Sequence, residues 1–195
     1  MLLDEPLPDD LPIIGSCYQC NSGFSQDEEY LACLVECVLG GSTDPDVVKR
    51  PKVRAALLHS PALAARIEAG RNKDASGTIV WRVEEDRMLK VIVKLARGHI
   101  AHHYSEPRVD GPVHIVAMPL GMMSENQREA FETAPENRLW PEVGSRAFVN
   151  LIVGGDTIYD VESGWNVLQA GRYRYLVAQP GGDVGSGCAK RVSRR

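Results

Sequence analysis

Cys17-Tyr18-Gln19-Cys20-Asn21 sets two thiols three residues apart, with a side-chain amide directly behind them. Thiolates at that spacing can fill two corners of a tetrahedral zinc site, and a closed structural site takes four donors. No second C-x-x-C or C-x-x-H occurs in the sequence. Unmetallated thiols in a tight turn are the plain alternative. A redox pair would have to open a helix in a βαβ setting, with a lowered thiol pKa. Asn21 also suits a turn, because Asn side chains bond nearby backbone amides. A second group is His99, His102 and His103. His99 and His103 stand one helical turn apart and could share one metal with two further groups, for which Cys17 and Cys20 are the evident source. The residues between them include no Glu, which excludes the H-E-x-x-H metalloprotease motif. Imidazoles that cap a helix C-terminus or pack in a core are the competing reading.

Of the five cysteines, Cys33 and Cys37 fall inside the mostly apolar run Leu31 to Leu39 and read as small buried residues. Cys188 lies in a Gly-rich stretch. An odd count in a chain of this length argues against a secreted disulfide framework and for reduced, cytoplasmic thiols. The acidic, Pro-rich start MLLDEPLPDD has neither the basic nor the apolar region of a signal peptide. The longest apolar stretch, Leu31 to Gly41, is interrupted by Glu36 and is too short to cross a bilayer, so no membrane partner is expected. A net charge of −4 gives no overall attraction to nucleic acid. DNA, the candidate partner, would need a local basic patch, and 49–54, 66–73 and 190–195 supply the candidates. Solvated helix faces explain the same residues.

The elements around these residues follow from pattern. Ser25 and Glu28 form a capping box, which predicts a helix from about Gln26 to Leu39 with Tyr30, Leu31, Leu34, Val35 and Val38 at helical spacing, ended by Gly40-Gly41. In that first turn, Asp27, Glu28 and Glu29 would complement the helix dipole. Short helices are expected at 45–49 and after Pro51 and Pro61, and a brief strand at Thr78–Val83. Glu84 to Tyr104 carries the strongest helical periodicity, and Ser124 to Thr133 reads as a helix capped by Ser124. Ile13-Ile14, Val113–Met118, Ala147–Val153, Ile158–Val161, Trp165–Leu168 and Tyr173–Val177 read as strands. Tyr159, Trp165, Tyr173 and Tyr175 fall at strand spacing and are expected to pack a sheet. The fold class is therefore α+β, an N-terminal C-x-x-C loop and helical region followed by a mainly antiparallel β portion. The expected divisions are 1–40, a helical region over 41–106, a sheet region over 107–180 and a disordered tail over 181–195.

The run Leu11-Pro-Ile-Ile-Gly-Ser-Cys17-Tyr-Gln-Cys20-Asn21-Ser-Gly-Phe-Ser-Gln-Asp-Glu-Glu-Tyr30 resembles bacterial proteins of the HNH endonuclease class. The likeness continues through Glu36-Cys37, Asp44-Pro45, Arg50-Pro51-Lys52, Leu95–His99 and Gly171–Tyr175. In that class a β-hairpin and a helix form the nuclease core. Two C-x-x-C pairs hold a structural zinc, and the His of an Asp/Glu-His-Val-x-Pro element is the general base. A divalent metal such as magnesium stabilises charge on the phosphate. The resemblance matches Cys17 and Cys20 to the second zinc pair and Asn21 to the Asn that orients the core's loop and catalytic His. It puts the first pair and the His element ahead of Met1. It therefore implies a chain that lacks its catalytic His and does not cleave DNA as given. A non-enzymatic module that binds nucleic acid or protein, with or without zinc, is the alternative; it expects binding to fall on charge reversal at Arg50 and Lys52.

Overall fold

The computed structural model describes residues 2–105, 120–133, 139–178 and 189–193. The chain divides into two compact units. The first comprises Met1–Asp4 and Ser16–Lys94, the second Glu5–Gly15 and Leu95–Arg195. The α+β class holds, with helices preceding the β portion.

In the first unit, α1 (Tyr18–Gly40), α2 (Pro51–His59) and α3 (Pro61–Ala69) surround one core. Tyr30, Cys33, Leu34 and Cys37 recur at three- and four-residue spacing along α1 and meet Val53 and Leu57 of α2 and Leu63 and Ile67 of α3. The buried face of α1 is thus rotated toward the cysteines, and Val38 is exposed. Pro51 and Pro61 each occupy a helix's first turn, where a missing N–H removes no hydrogen bond. Residues 45–47 form a turn rather than the expected helix. An antiparallel hairpin, β1 (Arg71–Lys73) and β2 (Ile79–Trp81), follows around the Asp74 turn. The helix α4 (Glu85–Tyr104) begins here, and Tyr30 accepts the Glu84 N–H at 2.8 Å through its hydroxyl oxygen.

The expected start of α1 is corrected by eight residues. Tyr18 to Ser25 is helical, and Ser25 is no cap: its hydroxyl donates to the carbonyl of Asn21, four residues back. Asp27 consequently lies well inside the helix, where it pairs with Arg87 at 2.8 Å instead of complementing the dipole.

In the second unit, β3 (Ile158–Tyr159), β4 (Asn166–Gln169), β5 (Tyr173–Ala178) and β6 (Ala189–Ser193) form an antiparallel sheet in chain order. Part of the expected tail, 189–193, is thus strand. The α5 helix (Glu125–Glu132) starts with the capping box of Ser124 and Gln127, and its Phe131 packs on Trp165. Ala147–Val153, expected as a strand, is instead the helix α6 (Arg146–Val153). Ser145 caps it by accepting the Phe148 N–H, and Gly154 ends it at φ 82°. Ile13 and Ile14 have no strand pairing among the described residues. The expected strand Val113–Met118 lies outside the described residues.

Candidate functional site

Cys17 immediately precedes α1 and is exposed. The Asn21 N–H donates to the Cys17 carbonyl at 3.0 Å, so the pair and its amide occupy one helical turn rather than an open loop. Asn21 is exposed on that turn. The donor set suits zinc, because two thiolates at C-x-x-C spacing are common structural ligands. Among the described residues, no group of three or more His, Cys, Asp or Glu is arranged to hold a metal ion. Cys33 and Cys37 are buried, and burial first of all pushes their thiols up, to about 12 and about 11. They are core residues, as their apolar context implied.

Two of the four cations of segment 49–54 are committed to the fold. Arg50 is 4% exposed; its Nε donates to Asp4 at 2.5 Å and its Nη2 to the Leu3 carbonyl at 2.6 Å. Its Nη1 stands 3.6 Å from Glu36. Arg54 donates to the carbonyls of Pro45 and Val48. Two of the cations that a phosphate contact would use are thus engaged by this chain's own oxygens.

The histidines of α4 belong to the second unit. His99 stacks on the Tyr175 ring, centroids 3.7 Å apart, and its Nε2 lies 2.7 Å from the Tyr173 hydroxyl. His103 meets Tyr175 edge-on, with 3.3 Å between its Nδ1 and the tyrosine hydroxyl oxygen. Its carbonyl, near the end of α4, accepts the Glu142 N–H. Both rings are core residues packed on β5. Burial also raises the Tyr175 hydroxyl pKa, so the tyrosine is neutral.

His102 is different. It lines a cavity of about 240 Å³ together with Asn150, Thr157, Tyr159, Asn166 and Tyr175. The imidazole is 5% exposed, and its Nδ1 has no hydrogen-bond partner among the described residues. Burial, then the Arg146 guanidinium, lowers its pKa, with the Asp10 carboxylate opposing. Asp10 accepts the Thr157 N–H at 3.0 Å and the Thr157 hydroxyl at 2.9 Å, and it bonds the Asn150 amide. A Cβ on Gly155 would overlap that carboxylate, so glycine is needed for the approach. Sequence reasoning singled out His102 only as a member of H-x-x-H-H and missed Asp10, Asn150 and Thr157. These meet across about 140 residues of chain, and no local spacing announces them. No protein family, curated protein or solved structure matches this chain.

Proposed function

We propose that this chain is an HNH endonuclease-like protein in which Cys17 and Cys20 are one half of a structural zinc centre and Asn21 steadies the turn behind them. The supporting observation is local: the pair opens a long helix, with Cys17 just before it and Cys20 in its first turn. Zinc would supply the fixed tetrahedral node that holds this junction. In the HNH arrangement the proton-abstracting His belongs to a separate Asp/Glu-His element, so the cysteine pair predicts zinc binding and not strand cleavage. The involvement of Arg50 and Arg54 in internal contacts weighs against a phosphate-binding module built on 49–54.

Metal analysis of the purified chain tests the proposal. Zinc is expected in the wild type and lost in Cys17→Ser; a zinc content near zero in both refutes it. Plasmid nicking with magnesium or manganese, with and without chelator, reads the hydrolytic part. Protein that carries zinc and leaves supercoiled DNA intact is the expected result, and chelator-sensitive nicking overturns the separation of zinc half and base.

A further inference from the structure

A disulfide needs two sulfurs, whereas a structural zinc centre needs four donors. Among the described residues, no group of three or more His, Cys, Asp or Glu is arranged to hold a metal ion, so Cys17 and Cys20 are half of a metal centre but a whole dithiol. The helix sets their separation. Cys17 stands one position before α1, and its carbonyl accepts the Asn21 N–H, which closes the first turn over both cysteines. Residues three apart on such a turn have Cα atoms ~5 Å apart, from a rise of about 1.5 Å per residue on a radius of about 2.3 Å. A disulfide spans Cα separations of about 4.4–6.8 Å, so the bond can close on the backbone as it stands. The βαβ setting expected of a redox pair is one way to open a helix; α1 opens at the pair without it.

The surroundings suit exchange. The nucleophile is the thiolate, and the partial positive charge of a helix N-terminus stabilises it. No acidic residue stands in the first turn of α1 to oppose that charge. Cys17 is exposed, so a disulfide in solution can reach it. Cys33 and Cys37 are fully buried, and with their thiols pushed up to about 12 and about 11 they stay protonated and do not compete.

We propose that Cys17 and Cys20 form a thiol–disulfide exchange centre whose co-substrate is a small disulfide of the glutathione class. The Cys17 thiolate attacks one sulfur of that disulfide, forms a mixed disulfide and expels one thiolate, which takes up a proton. Cys20 then gives its proton to solvent and attacks the Cys17 sulfur, closing the Cys17–Cys20 bond and expelling the second thiolate. The pair is oxidised by two electrons and the small disulfide is reduced to two thiols. On the zinc reading above, oxidation also releases the metal, because the metal ligand is the thiolate; the exchange itself does not depend on zinc.

The test equilibrates the zinc-stripped full chain in mixtures of reduced and oxidised glutathione, quenches with acid and alkylates the remaining thiols. Cleavage after Glu28 leaves Cys17 and Cys20 on one peptide, apart from the other three cysteines. Mass spectrometry should find a Cys17–Cys20 disulfide there, absent in Cys17→Ser and Cys20→Ser, whose remaining sulfur carries at most a glutathione. Because the helix holds the pair together, the ratio of disulfide to dithiol at a given glutathione mixture should be at least tenfold higher in the native chain than in urea. The proposal fails if both thiols remain alkylatable in excess oxidised glutathione, if Cys17 bonds Cys188 or a second chain instead, or if native and urea-unfolded chains oxidise equally. Stripped protein answers the question whether or not the chain takes up zinc, so failure of the zinc centre is read separately, by metal analysis.

Discussion

Replacing Arg50 by Gln removes a guanidinium that three oxygens of its own unit surround. Glu36 is the decisive partner, because its side chain is 7% exposed and stands 3.6 Å from Nη1. At an effective dielectric near 20, that separation corresponds to a gross attraction of ~4–5 kcal/mol. The Nε bond to Asp4 is a charge-assisted hydrogen bond of ~1.5–3 kcal/mol, discounted because that carboxylate is 37% exposed. These do not simply add, since both act on one guanidinium. Breaking a buried pair from one side costs ~3–5 kcal/mol, and that is the loss expected for Arg50→Gln. Lys52→Glu, at an exposed position of α2, should stay within ~0.5 kcal/mol. Urea denaturation followed by circular dichroism measures both, and Glu36→Gln completes a double-mutant cycle with Arg50→Gln. A loss below ~1 kcal/mol for Arg50→Gln, or a coupling to Glu36 near zero, would refute the reasoning. The same result decides how a DNA-binding experiment reads: reversal at Arg50 tests folding, and reversal at Lys52 tests the surface.

After zinc is stripped with chelator, iodoacetamide at pH 8 should modify the exposed Cys17 and leave Cys33 and Cys37 unmodified until urea is added, as mass spectrometry of the alkylated peptides will show. Because the two buried thiols keep their protons to about 12 and about 11, the folded state holds protons that the unfolded chain releases near pH ~8.5–9. Their contribution to stability is complete below that pH and is lost as pH rises through the folded values. Gly155→Ala should displace Asp10 from Thr157 and cost ~1–3 kcal/mol in the urea midpoint; a neutral outcome would mean that the 154–157 loop moves aside. His102 runs the opposite way to the thiols: its lowered folded pKa means that the unfolded state binds more protons below pH ~6.5. Wild-type stability should therefore fall from pH 7 toward pH 5 more steeply than that of His102→Gln.

Where pattern and structure agree, one local signal was enough. The apolar stripe of 84–104 and the capping box at Ser124 each describe a helix whose neighbours do not change its type. The errors have specific causes. Ala147–Val153 looks like a strand because it is rich in Val, Ile and Phe, yet Ser145 caps a helix there and Ala147 and Leu151, four apart, face inward. β-propensity is weak against a well-formed cap and a buried helical stripe. At α1, Ser25 satisfied the capping-box pattern but had a competing role within a helix, donating back to Asn21, so the true start lay a turn or more earlier. The cavity was illegible because its polar residues come from α4, α6 and the strands β3 to β5, with no shared local spacing. Asp10 reads as one acidic residue in a Pro-rich lead-in until the fold brings it to Thr157.

The three histidines of α4 show how one short motif reaches two environments. Residues four apart on a helix are separated by about 6 Å along its axis. Alternate residues of a strand are separated by about 6.5–7 Å and share a face. His99 and His103 therefore match the spacing of Tyr173 and Tyr175 on β5, and each finds a tyrosine hydroxyl. His102 is one residue short of that register, so its side chain is rotated by about 100° from His103 and falls on the cavity side instead. The packing of the first and last imidazoles fixes where the middle one points. Tyr173→Phe, which removes the His99 partner, keeps the ring and lies outside the cavity lining, should thus alter the His102 environment without touching the cavity's amides.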